Sequence, residues 1–446
     1  MALRRVEREL LGRWPESRLE PSLDRIRALL DVLGSPQRSY PVIHLTGTNG
    51  KTSTARMIDA LLRGLGLRTG RFTSPHLESV TERIALDGQP LDAERFVAAY
   101  DDIAPYVELV DADQPLPLSF FEVLSGMAFA AFADAPVDVA VVEVGMGGGW
   151  DATNVADGKV AVLLPVELDH TAYLGDTPAA VAVEKAGIIK PGAVAVLAQQ
   201  SVDVAEVLLR RAAEAEATVA REGIEFGVVS RAVALGGQLV TLQGLKSRYD
   251  ELLLPLHGAH QAHNAACAVA AVEALVGSQP LDAEVVRTAL ASVDSPGRLE
   301  VVRRSPTVVL DAAHNPAGAR AAVAALEEAF DFTRLIGVVG VVGDKDVLGI
   351  LEPLEPVLAE VVVTQSTSPR ALPADDLAAL AVGVFGADRV EVVPRLDDAL
   401  EAGVRLAEED GVVGGAGVLV TGSVITVGEA RRLLRFPTVP AGVEDS

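Results

Sequence analysis

A single cysteine, Cys267, stands in a chain of 446 residues, so an internal disulfide is excluded and the composition fits a reducing cytoplasm. Uninterrupted apolar runs of membrane-spanning length are also missing. The first residues, MALRRVERELLGRW, alternate charge and leucine like an amphipathic helix and lack the apolar core of a signal peptide. Cations are scarce too: 38 Lys and Arg stand against 62 Asp and Glu, a net charge of −24. That balance argues against nucleic acid or an anionic membrane as the main partner. Any basic groups that serve an anionic substrate must therefore be local. Short-period repeats and low-complexity tracts are absent, apart from an acidic tail, AGVEDS, expected to fray. What remains is a hydrophobic content of 49% with 22% charged residues, the profile of a globular protein with room for more than one domain.

Near-continuous apolar runs, PVIHLTG, VDVAVVEVG and KVAVLLPVELDH, read as strands buried on both faces of a mostly parallel sheet. Helical patterns at 50–65, 91–108, 119–133 and 177–188 separate them. A Gly- and Val-rich hairpin, EFGVVSRAVALGGQLVTLQG, precedes a small-residue helix, GAHQAHNAACAVAAVEALV. The stretch SVDSPGR is the linker candidate. Beyond it the alternation restarts with TVVLDAA, RLIGVVGVVG, EVVVTQS, DRVEVV and GVLVTGS. The pattern predicts an α/β chain of two domains: a P-loop-type domain at 1–296, and a smaller Rossmann-like α/β domain at 297–446.

Chemistry concentrates first in VIHLTGTNGKTSTARMIDALL, residues 42–62. A strand, a Gly-rich turn and a helix form a nest of backbone N–H groups backed by the positive end of the helix. Lys51 adds a full charge and Thr52 a hydroxyl for phosphate or metal. The loop is T-G-T-N-G-K-T, shorter than the common G-x-x-x-x-G-K-[ST] spacing because position 45 is Leu. An ordinary helix-capping turn is the plainer alternative, and Lys at the helix start after a buried strand disfavours it.

Further on, Glu143 follows four uncharged residues, its last three neighbours opening AVVEVGMGGGWDATN, and Asp169-His170 ends AVLLPVELDH. Ligands of open parallel sheets gather beyond the carboxyl ends of the strands, where a carboxylate is costly without a cation. Mg²⁺ on ATP phosphates supplies one. Taken singly, a Glu paired to an Arg and a His bonded to a backbone carbonyl are the more ordinary readings. Together, downstream of a phosphate loop, they favour the metal.

The ordered set TGTNGKTS, TSPHLESVTERI, SFFE, EVGMGGGWDATN, DHTAYLGDTPAAVAVEKAGIIKPG, HQAHNAA, PGRLE, LDAAHNP, GDKD and TGS spans residues 46–429. On it the chain resembles the folylpolyglutamate synthase and dihydrofolate synthase family of the Mur ligase superfamily. The resemblance implies that Asn49, Gly50, Lys51 and Thr52 hold ATP phosphates. It implies that Ser74, Glu143 and His170 ligate magnesium, with Lys185 carried as a carbamate that helps hold a second Mg²⁺. Asn264 resembles the adenine-side contact, and Arg298 and Asp311 the residues that close over ATP. Ser119, Phe121, Trp150, Asp151 and Ala152 resemble the wall of the pterin or folate pocket. His314, Arg83 and Ser423 are weaker candidates for glutamate and the acyl phosphate. At position 149 Gly replaces the Arg that the family pattern leads one to expect.

Plainer roles stand beside these. Arg298 is also placed to cap the linker and Asp311 to cap the helix after HNP, while His260 and His263 read equally well as surface histidines. Phe120 and Phe121, taken singly, read as core.

The implied chemistry needs no nucleophilic triad. A substrate carboxylate attacks the γ-phosphorus of ATP, and the amine of L-glutamate then displaces phosphate from the acyl phosphate. Lys51 and two Mg²⁺ would neutralise charge, and closure about SVDSPGR would bring in Arg298, Asp311 and His314. A sugar-nucleotide-dependent Mur ligase would carry an additional N-terminal domain, and 45 residues precede Thr46. A GTPase or P-loop kinase leaves LDAAHNP and GDKD unexplained. A non-catalytic nucleotide-binding module leaves the set Lys51, Glu143, His170 and Lys185 without a purpose. The acceptor is left open between dihydropteroate and reduced folates, with both as the favoured reading and a cytoplasmic monomer as the expected form.

Overall fold

In the computed structural model, residues 1–15, 20–277, 279–409 and 415–435 are described; the acidic tail AGVEDS lies outside them. The chain forms two compact units, Met1–Asp294 and Ser295–Ser446, and the division falls inside SVDSPGR.

The first unit is built on eight strands: β1 (Val42–Thr46), β2 (Thr69–Phe72), β3 (Ile84–Leu86), β4 (Gln89–Pro90), β5 (Val139–Glu143), β6 (Gly158–Leu163), β7 (Val194–Leu197) and β8 (Thr218–Arg221). Their order is β4-β3-β2-β5-β1-β6-β7-β8, with β3 and β4 antiparallel at one edge and every other pairing parallel. β1 is therefore central, flanked by the two strands that also read as apolar runs. Alternate residues feed opposite cores. Ile43, Leu45, Val141 and Val162 pack with the helices Lys51–Gly64 and Ala259–Val276 on one face. Val42, Ala140 and Val142 meet the helix Phe120–Asp134 on the other. Burial on both faces is why these strands lack the polar alternation of a half-exposed sheet.

The expected hairpin is β9 (Gly227–Ala234) with β10 (Gly237–Gln243), joined by a third antiparallel strand, β11 (Arg248–Leu254), that polar residues hide in the sequence. Two expected elements differ. KVAVLLPVELDH stops being a strand at Leu163, because Pro165 has no N–H to continue a ladder; Asp169 and His170 thus lie beyond the strand rather than at its end. The 177–188 helix is an α-helix over Pro178–Lys185 followed by a 3-10 turn over Ala186–Ile188.

In the second unit the strands are β12 (Glu300–Arg304), β13 (Thr307–Leu310), β14 (Arg334–Val339), β15 (Glu360–Val363), β16 (Val390–Val392) and β17 (Ala416–Thr421). The order is β12-β13-β17-β14-β15-β16, parallel except for β12. The return of β17 between β13 and β14 creates a switch point, and the loops after those strands carry Asp311, His314 and Ser423.

The strand TGRF of β2 is fully buried although it holds an arginine. Arg71 Nη1 donates to Asp59 Oδ2 at 2.9 Å, and Asp59 also accepts from Thr69 Oγ1 at 2.6 Å and Arg63 Nε at 3.2 Å. Burial pulls Arg71 down to about 10 even with Asp59 opposing it. Asp59→Ala would strand a buried guanidinium, and should cost about 3–5 kcal/mol. A urea titration measures this; a loss below about 1 kcal/mol would mean that solvent reaches Arg71.

Candidate active site

β1 delivers the chain into the turn Gly47–Gly50, and the helix Lys51–Gly64 leaves it. Two glycines are required there. Gly50 has φ +83°, and a Cβ on it would lie 2.6 Å from Asn264 Oδ1; one on Gly47 would lie 2.6 Å from Leu164 Cβ. Thr48 fastens the turn from the side: its N–H donates to Pro165 O at 2.9 Å, and its hydroxyl donates to Glu167 O and accepts from Glu167 N, both at 2.9 Å.

Two amines converge on this turn. Lys51 Nζ donates to Gly47 O at 3.0 Å and Thr48 O at 3.2 Å. Lys185, at the end of its helix and 4% exposed, donates to the same Gly47 O at 2.9 Å. Burial, then the neighbouring Lys51 charge, lowers the Lys185 amine to about 7, against the pull of Asp169, Asp151 and Glu184. Beside them Thr52 Oγ1 donates to the Glu143 carboxylate at 3.0 and 3.1 Å. Lys51, Thr52, Glu143 and Lys185 are thus brought together. Ser74 is buried just beyond β2. His170, with φ +51°, starts a one-turn helix, and its backbone N–H donates to Asp169 Oδ1 at 2.8 Å.

A second loop, Gly145–Thr153, runs alongside. Asp151 turns inward, accepting from Met146 N and Thr153 N, both at 3.0 Å, and from the Thr153 hydroxyl. Burial pushes its carboxyl up to about 6. His44 of β1, fully buried and held near 3 by desolvation, lies with Nε2 2.9 Å from Thr153 Oγ1. Because that hydroxyl donates to Asp151, the neutral imidazole donates through Nε2. Thr46 Oγ1 adds a bond to Gly147 O at 2.8 Å. Neither His44 nor Thr46 stands out in sequence, since both sit inside an apolar strand.

Ser119 is the N-cap in a capping box with Glu122 (3.2 Å and, reciprocally, 2.8 Å). Phe121 packs on Gly145, where a Cβ would come 2.6 Å from its ring. Arg83 stacks over Phe120 at 5.1 Å and donates to His76 Nδ1 at 3.0 Å. Asn264 faces Gly50 and donates to Gln261 Oε1 at 3.1 Å. His263 pairs with buried Glu222, so it is not a bare surface histidine.

In the second unit Asp311 does not cap the following helix. Asn315 does, accepting from Gly318 N at 2.8 Å. Asp311 instead accepts from Leu299 N at 3.0 Å and Ala313 N at 2.9 Å, binding the turn that carries Arg298 to the end of β13. Burial raises its carboxyl, partly offset by Arg298. His314 Nδ1 lies 2.9 Å from Ala312 O. Ser423 Oγ donates to Thr426 Oγ1 at 2.8 Å and accepts from Thr426 N at 3.0 Å.

These features have counterparts among known proteins. Residues 297–424 match the family described as Mur ligase, glutamate ligase domain. The chain is 53% identical to a dihydrofolate synthase/folylpolyglutamate synthase of Mycobacterium tuberculosis, over 97% of this chain and 94% of the relative. It superposes on the M. tuberculosis folylpolyglutamate synthase complexed with ADP with a TM-score of 0.94 at 54% identity, covering 97% and 98% of the two chains. A more distant match is E. coli FolC in complex with DHPP and ADP, with a TM-score of 0.81 at 28% identity and 94% of each chain covered. The phosphate loop and the two α/β units define an ATP-dependent ligase of the Mur type. Within that class, the chain belongs to the dihydrofolate synthase/folylpolyglutamate synthase family.

The lowered Lys185 amine has a stability consequence. Its folded pKa lies below the ordinary lysine value, so between about pH 7 and the ordinary value of 10.5 the unfolded chain holds more protons. Stability contributed at this position must rise with pH across that window. In CO₂-free buffer, wild type should gain on Lys185→Met as pH climbs from 7 to 9.5, read from urea midpoints. Parallel curves would show the amine to be solvated.

Proposed function

We propose that the protein adds L-glutamate both to dihydropteroate and to the glutamate tail of reduced folates, with ATP as co-substrate, through an acyl phosphate. The observation that carries this reading is the convergence of Lys51 and Lys185 on Gly47 O beside the Thr52–Glu143 pair. The names borne by its relatives supply the substrates.

Among the described residues, no group of three or more His, Cys, Asp or Glu is placed to hold a metal. The oxygen pair Thr52 and Glu143 nevertheless suits Mg²⁺, which is commonly bound by one or two carboxylates plus substrate phosphates rather than by an all-protein cage. Glu143, Thr52, Ser74 and His170 are the residues that would hold it; when bound, it supplies charge neutralisation on the phosphates. Around it the chain has its own tasks. The N–H groups of the turn and the Lys51 ammonium draw the β/γ-phosphates into line, lowering the barrier to attack on the γ-phosphorus by the acceptor carboxylate. The Gly145–Thr153 loop holds the acceptor so that the attack is close to unimolecular. The glutamate amine then attacks the acyl carbon, and phosphate departs with the bonding electron pair.

Lys185 joins this scheme as a carbamate. A buried amine near 7 is largely unprotonated at pH 8. Its lone pair can add CO₂, forming an N–C bond and releasing one proton. The product replaces a neutral amine with an oxygen anion of the kind Mg²⁺ prefers.

A coupled ADP assay offering dihydropteroate and a tetrahydrofolate side by side, each with L-glutamate, tests the function. Glutamate-dependent ADP release is expected with both; turnover of one alone would reduce the assignment to a single activity. Lys51→Ala should lower turnover by at least about a hundredfold with folding intact. For Lys185, ¹³C-bicarbonate should give a carbamate resonance that Lys185→Ala lacks. A missing resonance, with near-normal turnover in that variant, would return Lys185 to a plain helix-end cation.

A further inference from the structure

The helix Pro178–Lys185 ends in two adjacent residues that reach two different loops. Lys185 Nζ reaches Gly47 O in the phosphate loop. Its neighbour Glu184 reaches the loop Gly145–Thr153: Trp150 N donates to Glu184 Oε1 at 3.0 Å, and Gly149 N to Glu184 O at 2.9 Å. The approach is close at each glycine of this run. A Cβ on Gly147 would fall 2.9 Å from Glu184 Cγ, on Gly148 2.8 Å from Glu184 O, and on Gly149 2.9 Å from Glu184 Oε1. From the helix side, a Cβ on Gly187 would fall 2.4 Å from Gly149 Cα. Asn154 Nδ2 closes the joint, donating to Gly149 O at 2.8 Å and Gly187 O at 3.2 Å. The run GMGGGW and the run EKAG are thus the two halves of one joint.

We propose that Glu184 is a positioning residue: its carboxylate fixes Trp150 and Asp151, and through the helix end it sets the acceptor loop against the phosphate loop. This rests on reading Trp150 to Ala152 as acceptor wall. The carboxylate bond is the part of the joint that chemistry can remove selectively, since the backbone bond from Gly149 survives any substitution at 184. Gly149 belongs to the same device. A Cβ there would start 2.9 Å from Glu184 Oε1, so a side chain at 149 crowds the carboxylate and Gly leaves it to Trp150.

The test compares Glu184→Ala, Glu184→Gln and Gly149→Ala in the full chain. Gln keeps an oxygen acceptor for Trp150 N; Gly149→Ala displaces the carboxylate without altering it. In Glu184→Ala and Gly149→Ala, hydrogen exchange over residues 147–153 should quicken, and KM for the folate acceptor should rise about tenfold. Affinity for a non-hydrolysable ATP analogue should hold, and Glu184→Gln should stay within about twofold of wild type throughout. Unchanged exchange in both alanine variants overturns the proposal. So does a Gln variant as impaired as Ala, or a common decline of acceptor and nucleotide affinity, which a merely structural role would give. Wild type failing to release ADP with any pteroate or folate would instead defeat the functional reading, while the exchange comparison still decides the joint.

Discussion

The carbonyl oxygen of Gly47 is the point on which the site turns. It accepts from Lys51 at 3.0 Å and from Lys185 at 2.9 Å, so two amines share one partial negative charge. Burial lowers the Lys185 amine to about 7, and the charge of the neighbouring Lys51 adds to the effect. One backbone oxygen thereby ties the phosphate-loop helix to the end of the helix that carries Lys185. The glycine that provides it is fixed by space as well, since a Cβ would collide with Leu164.

Everything nearby is arranged to hold that oxygen still. β1 lies between β5 and β6 in the middle of the sheet, and its side chains at 44 and 46 reach Thr153 and Gly147. The strand that presents the phosphate loop therefore also grips the loop Gly145–Thr153. Glu143 ends the neighbouring strand opposite Leu45 and receives the Thr52 hydroxyl. The phosphate loop, Glu143 and the loop Gly145–Thr153 are thus hung from adjacent strands of one sheet, which suits a site where small misplacements are costly.

Much of this was legible in the sequence, and the failures have identifiable causes. Apolar runs located β1, β5 and β6 because strands buried on both faces need no polar alternation. The same logic hid β2, where Arg71 looks like surface until Asp59 is seen beneath it. It also ran KVAVLLPVELDH on to His170, past a proline that halts the ladder. Lys51, Glu143 and Lys185 were identified from motif context. Their meeting place was not, because the convergence depends on Gly47 lying between three elements far apart in sequence. Ser119 and Ser423, named through the family resemblance, also have local work that the sequence did not reveal, since each caps the start of its own helix. The cap reading of Asp311 failed because Asn315 takes that place, while the two backbone bonds of Asp311 hold the Arg298 turn.

The charge of the chain acquires a meaning from this geometry. With 62 acidic residues against 38 basic ones, most of the surface repels polyanionic ligands such as ATP and polyglutamates. Many arginines are also already engaged with carboxylates, as Arg71 is with Asp59 and Arg25 with Glu122. Lys51 donates to two carbonyl oxygens, Gly47 and Thr48, at the turn from which the helix Lys51–Gly64 leaves, and the positive end of that helix also favours an anion. Glu143, at the end of the neighbouring strand β5, accepts from the Thr52 hydroxyl. An acidic protein can thus attract an anion to one turn, because attraction falls off over about 8–10 Å in physiological salt and the local arrangement, not the net charge, decides what binds there.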